Sequence, residues 1–377
     1  MCTSLIYLDA QNRPYLGRTL ELTLELPYQL SAFPRALELH SQVAGFGPLS
    51  FQTRYPFLAV TMPAMIPTPG VKFGPDDLKI VEGMNGAGLC FSVQSYPEAG
   101  GGERPAADAN QAALSAMDLG AWVLGQFATV EEVKNALTKQ TVVVEPVGIL
   151  GGAEMPFHYG VHDATGKSIV IEFHRGKRTV YDNLVGVMTN GPEFPWHLTN
   201  LGNYTYLSNV DQPAATFGTY EARQPDAGSA KAALPSSDTA VDRFVRAAYY
   251  AKFAEKHTEP DLAVQMVAHI MNNFDRPRGA TVEYSEHGGS GMHVEGFESK
   301  KVETEFTSWT SLSDLDRKIF FLRDNGGMNY ARFDVTALND ATQFCSETMA
   351  KLLPKPQDIT AALAPAKAQS STPTAAH

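Results

Sequence analysis

The sequence predicts a layered α/β or α+β domain, with strands enclosed by helices. Three observations carry this. Runs of strand period open and close the chain, and runs of helical period lie between them. The order reads strands, helices, strands, helices, strands, which fits a packed sheet-and-helix layering. Over 377 residues, 44% are hydrophobic, enough for a sizeable core in one large domain or two. No internal repeat is visible.

The elements follow in order. "TSLIYLD" reads as a first strand, "AQNRP" as a turn, and "GRTLELTLEL", which alternates strongly, as a second strand. A strand starting at residue 3 pins the terminus in a sheet instead of leaving it to fray. "TMPAMIPTPG" at 61–70 is a Pro- and Met-rich loop, open either to a ligand or to the core. "EGMNGAGLCFSVQSYP" is a glycine-rich turn followed by a strand. It lacks the spacing of a phosphate loop, so its glycines are turn glycines.

"PEAGGGERPAADAN" reads as a flexible link, and "QAALSAMDLGAWVLGQF" as a buried helix. In "TVEEVKNAL", Thr129 and Glu132 form a capping box at the start of an amphipathic helix. "TVVVEP" and "GKSIVIEFHRGKRTVYDN" read as strands, with a hairpin turn at "HDATG", 162–166. "VDRFVRAAYYAKFAEKH" and "EPDLAVQMVAHIMNNF" are two more helices. "TEFTSWTSLSDLDRKIFFLRDN" is a strand, a turn and a strand. A single catalytic domain is expected over 2–350. The extension 351–377, rich in Pro, Ala, Ser and Thr, is expected to be mobile or to lie across a neighbouring subunit.

The formal net charge of −11 and the scatter of basic residues argue against a nucleic-acid partner. No run is apolar enough to cross a bilayer, and no signal peptide is read, since polarity begins at Asp9. The compartment stays open: periplasmic if a leader has been removed, otherwise cytoplasmic. Cys2, Cys90 and Cys345 do not make a disulfide framework, and Cys90 reads as a core residue.

For chemistry, His158 and His162 have i, i+4 spacing but strand-like flanks, and His287 and His293 flank a loose "GGSG" loop. Neither pattern calls for a metal, and no cofactor is implied. There is no G-x-S-x-G, and a Cys-His-Asn site needs a distant histidine that the sequence does not point out. Cys2 behind the initiator methionine needs less. Removal of Met1 leaves a thiol and a free α-amine on one residue. An α-amine of pKa about 7.7–8.0 accepts the thiol proton near neutrality. If the first two strands pair, Arg18 and Glu21 are the nearest candidates to assist it, with an ordinary surface ion pair as the bland rival.

The ordered series "MCTS", "GRTLEL", "EGMNGAGL", "HDATGKSIVIE", "VMTNGPEFPWHLTNLGNY", "DRFVRAAY" and "MNNFDRPRG" resembles the choloylglycine hydrolase family, from residue 2 to about 335. That family contains conjugated bile salt hydrolases and penicillin V acylases. The resemblance implies an N-terminal nucleophile hydrolase with a four-layer αββα sandwich, commonly a homotetramer, that cleaves a linear amide with an apolar acyl group. It implies Cys2 as nucleophile and its α-amine as base. Arg18 lies beside the thiol, Asn190 serves the oxyanion hole and Arg243 is the second site arginine.

Two positions depart from the family pattern. Glu21 stands where the family has an aspartate that contacts the terminal amine. Ser95, beside Gln94, stands where bile salt hydrolases have an oxyanion asparagine. Met62, Met65 and Ile66, with Phe57 on the preceding segment, fall where the family lines its acyl pocket, and Met adapts to varied apolar groups. These features look more like the Gram-negative penicillin V acylase branch, some members of which also cleave acyl-homoserine lactones. Penicillin V-type chemistry therefore ranks above bile salt deconjugation here, with a non-catalytic ligand-binding relative as the further alternative. Trp196 and His197 are expected to pack a strand end. The sequon at Asn203 carries no meaning without a glycosylating host.

Overall fold

The computed structural model describes all residues except 66–71, 97–104, 149–151, 155–156, 285–300, 359 and 361–377. His287, His293, Ile66, most of the 97–110 link and most of the C-terminal extension thus lie outside the described residues.

The first strand, β1 (Cys2–Leu8), pairs antiparallel with β2 (Pro14–Leu22), with Cys2 opposite Leu20 and Ser4 opposite Arg18. They form the centre of a six-stranded sheet in the order Val187–Met188, β1, β2, Phe306–Asp314, Ile319–Asp324, Ala331–Asp334. A second sheet has eight strands. Its order is Lys177–Asp182, Ser168–His174, Phe157–His162, Cys90–Ser95, Leu78–Asn85, Phe57–Pro63, β3 (Gln29–Phe33), Cys345–Thr348. Every pairing within these two sheets is antiparallel.

Alternation assigns each side chain to a layer. From β1, Cys2 and Ile6 enter the core between the sheets, beside Leu20, Leu58, Val60, Met84 and Trp309. Leu5 and Tyr7 point the other way, into a core with Phe244, Val267 and Met271 of the outer helices. Both faces are covered, so β1 and β2 are buried almost throughout. The helices over the six-stranded sheet are α4 (Ala240–Phe253) and α5 (Pro260–Met271). Over the eight-stranded sheet lie α1 (Leu119–Gln126) and α2 (Val130–Leu137), packed on Phe91, Tyr159 and Ile171. The result is the αββα sandwich that the resemblance implies.

Local predictions held where the chemistry was local. Thr129 Oγ1 accepts the Glu132 N–H at 3.2 Å at the start of α2. The 162–166 turn closes through the Asp163 N–H to the Lys167 carbonyl. Gly88 adopts φ +85°, where a side chain would run into the Leu315 carbonyl, so it is a turn glycine. The helix read over 111–127 is shorter. Leu114–Ser115 pairs with Val142–Val143, and the Ser115 hydroxyl accepts the Met117 N–H, so helix begins only at Ala116. Trp196 and His197 lie on a helix, α3 (Phe194–Asn200), rather than at a strand end.

Candidate active site

The register of the six-stranded sheet assembles the site. Val187–Met188 pairs with β1, Ser4 opposite Met188, so the chain that follows brings Asn190 beside Cys2. The Cys2 N–H donates to Asn190 Oδ1 at 2.9 Å. Arg243, on the face of α4 against β1, donates to Asn190 Oδ1 at 2.7 Å and Thr3 Oγ1 at 2.6 Å, and also to the Cys2 carbonyl. Asn190 Nδ2 donates to the Ser95 carbonyl at 2.7 Å, which leaves its second amide proton free for a substrate oxygen.

On the thiol side, Arg18 Nη2 lies 3.7 Å from Cys2 Sγ. The guanidinium is held from several directions. Glu82 pairs with it at 3.2 Å, the Val81 carbonyl accepts at 3.3 Å, the Val93 carbonyl accepts too, and its Cζ sits 4.7 Å over the Trp309 ring. Arg18 and Glu82 are both fully buried. A cation fixed beside a thiol favours the thiolate. Burial pushes the Glu82 carboxyl up to about 8 against the pull of Arg18.

Glu21 and Arg18 project from opposite faces of β2. The Glu21 N–H donates to the Met1 carbonyl at 2.8 Å. Its carboxylate accepts from Thr307 Oγ1 at 3.2 Å and is raised in pKa by burial against the pull of Arg243. The carboxylate takes no hydrogen bond from the Cys2 nitrogen, which Asn190 holds. Arg243, lowered by burial to about 10, stays charged at neutral pH. The Met1 amine pairs with Glu305 at 3.1 Å, and Arg276 holds the other Glu305 oxygen at 2.5 Å.

Cys2 lines an apolar cavity of about 110 Å³. Leu20, Tyr28, Met62, Phe91, Val93 and Met117 line it, and Gly120 of α1 is part of its wall. Among the sequence candidates, Met62 and Ser95 line this cavity, while Phe57 and Met65 do not. Phe57 is a correction: it is fully buried, stacked on Phe33 at 4.3 Å. It sits five residues from Met62, roughly 17 Å along an extended strand. Met65 is 59% exposed just beyond the same strand. His158 and His162 bond to protein groups, His158 to Glu172 and Thr189 and His162 to Ser168.

Sequence reasoning missed Glu82 and Trp309. The signal for Glu82 was present. It shares strand parity with the core residue Met84, so its carboxylate faces the core and needs a buried cation.

A family profile for linear amide C–N hydrolases, choloylglycine hydrolase family, matches residues 2–347. A bile salt hydrolase/transferase of Clostridium perfringens is 31% identical over 203 residues, 53% of this chain and 56% of that protein. One from Lactiplantibacillus plantarum is 26% identical over 348 residues, 90% of this chain and 95% of its own length. A penicillin V acylase of Pectobacterium atrosepticum is 26% identical over 67% of this chain and 60% of its own. In fold, a conjugated bile acid hydrolase of C. perfringens superposes with a TM-score of 0.75 at 23% identity, covering 95% of this chain and 99% of the other. The penicillin V acylase of Agrobacterium tumefaciens gives 0.68 at 21%, covering 94% and 98%. The chain, an N-terminal-nucleophile cysteine hydrolase, thus belongs to the choloylglycine hydrolase family of linear amide C–N hydrolases.

Proposed function

We propose that the chain hydrolyses N-acyl amides with an apolar acyl group, using Cys2 as nucleophile, and that conjugated bile acids are its leading substrate class. The observation that carries the chemistry is Cys2 itself. Its thiol lies 3.7 Å from Arg18, the residue lines the apolar cavity, and its nitrogen is held by Asn190. Opening the Met1–Cys2 bond frees the α-amine. The amine takes the thiol proton and the thiolate attacks the amide carbon. Asn190 Nδ2 donates to the oxyanion. As the tetrahedral adduct collapses, the ammonium returns its proton to the leaving amine and a thioester remains. Water, giving its proton to the amine, then releases the acid and restores the thiol.

Bile acids lead because three relatives matched over 73% or more of their own length are named for bile salts or bile acids, whereas the penicillin V acylase relative is matched over 60% of its own. This reverses the ranking read from the sequence. The second reading, penicillin V or an acyl-homoserine lactone, is favoured by the cavity. Its volume of about 110 Å³, with Met1 still forming part of the wall, lies below the roughly 150 Å³ of a cavity that holds benzene, nearer to one flat ring than to a steroid.

The test is amine release by one purified sample from penicillin V, a glycine and a taurine conjugate, and a long-chain acyl-homoserine lactone. Intact mass tracks the loss of Met1. Fast release from the conjugates supports the leading class, and fast release from the others alone supports the second. Unchanged turnover in Cys2→Ala sinks the chemistry.

A further inference from the structure

Asn190 is held by its backbone as well as its side chain, and the backbone grips are two histidines. His197 Nε2 lies 2.9 Å from the Asn190 carbonyl, and His158 Nε2 lies 3.0 Å from the Thr189 carbonyl. A carbonyl only accepts, so both nitrogens carry the proton. Each ring is fixed from behind. His197 is buried and stacks on Phe244 at 4.6 Å with 12° between planes, next in sequence to Arg243, which holds the Asn190 side chain. His158 faces its cross-strand partner Glu172, Nδ1 to Oε1 at 3.1 Å, and the same oxygen accepts the Phe194 N–H at 2.9 Å, tying in the start of α3.

Two consecutive carbonyls are therefore each gripped by an imidazole fastened to a different layer element. We infer that His197 and His158 are positioning residues for the hydrolysis: they fix the Thr189–Asn190 backbone and so aim the free Asn190 amide proton at the substrate carbonyl oxygen. This rests on Asn190 as oxyanion donor and Cys2 as nucleophile. It gives His197 a role beyond packing.

The test uses the full chain with His197→Leu, His158→Leu, His197→Gln and His158→Gln, each Gln variant read against the Leu variant at the same position. Gln places a donor near the Nε2 position, whereas Leu leaves the carbonyl ungripped. Expected for each Leu variant is a fall in kcat of about 10- to 100-fold, the scale of a small misplacement. KM holds, and Cys2 is alkylated by iodoacetamide at close to the parent rate, because Arg18 beside Sγ and Arg243 on the Cys2 carbonyl stay in place. His197→Gln and His158→Gln regain most of the kcat.

A second readout does not need turnover. Asn190 precedes Gly191, and once the turn loosens the Gly191 nitrogen attacks Asn190 Cγ and expels ammonia. Peptide mapping should show faster deamidation at Asn190 in the Leu variants and not in the Gln variants. Unchanged kcat and unchanged deamidation in the Leu variants overturn the inference. So does a Gln variant as impaired as Leu, or alkylation falling in step with kcat. An unmutated protein that cleaves no amide fails the hydrolase reading instead, and the deamidation comparison still decides the clamp.

Discussion

The backbone N–H of Cys2 and the side-chain oxygen of Asn190 meet at 2.9 Å across 188 residues of sequence. Pairing of Val187–Met188 with β1 makes the meeting unavoidable, and Arg243 locks it by donating to the same oxygen. Asn190 thus ties down the nucleophile with its oxygen and offers a proton with its nitrogen.

Removing the side chain tests both roles at once. Asn190→Ala is expected to lower kcat about 10²- to 10³-fold, the usual cost of one oxyanion donor, with KM changed far less. Steady-state kinetics on the best amide substrate checks it. A variant with raised KM and normal kcat would make Asn190 a ground-state binder only.

The Arg18–Glu82 pair yields a stability prediction. Arg18→Met leaves the Glu82 carboxyl, which burial already keeps largely protonated at pH 7, without its partner, a loss of about 1–3 kcal/mol in urea unfolding. Adding Glu82→Met to it should recover much of that, since an apolar pair of similar volume leaves no buried polar group without a partner. The double variant is nevertheless expected to react slowly with iodoacetamide at pH 7, because the cation 3.7 Å from Cys2 Sγ is gone. Recovered stability with undiminished thiol reactivity would show that Arg18 braces the fold and does not tune the nucleophile.

His162 predicts an acid limb. It is fully buried between the sheets, and burial lowers its pKa from 6.5 to about 4. The unfolded chain therefore binds a proton that the folded chain refuses as pH falls from about 6.5 to 4. The stability from neutral His162 is complete above 6.5 and lost on descent, about 3 kcal/mol in all. Unfolding free energies at pH 7 and pH 5 should differ less in His162→Gln than in the parent. Equal differences would place the acid sensitivity elsewhere.

The sequence was most legible where one residue's chemistry decides the outcome. Alternation in "GRTLEL" placed β2, and Thr129 with Glu132 marked the start of α2. Among site residues, Cys2, Arg18, Asn190 and Arg243 were nameable from local motifs and do converge. What stayed hidden is set by pairing between distant strands. Phe57 and Met62 share a strand five residues apart, so alternation separates their faces, but only the pairing of the strand decides that Phe57 packs on Phe33 and Met62 meets the cavity. Trp309 joins the site through its pairing opposite Leu20 on the neighbouring strand, and Glu82 only through the facing of the two sheets. Glu21 matched a family position by sequence, but its carboxylate bonds to Thr307, on a strand nearly 300 residues away.

The acyl cavity offers the last prediction, at Gly120. A methyl group there meets Ile80 Cβ at 2.6 Å and the Phe91 ring at 2.7 Å, both closer than real contacts allow. Ile80 and Phe91 also line the cavity, so whatever moves to admit the methyl group takes volume from the acyl site. Gly120→Ala should therefore cost about 1–3 kcal/mol in stability, the scale of an overpacked core. It should also raise KM, more for a bulky acyl group than for a small one, while kcat for the small one holds because Cys2 and Asn190 are undisturbed. Kinetics with a steroid and a phenoxyacetyl amide side by side separate the outcomes. An equal change in KM for both would mean that the acyl group binds elsewhere than against α1.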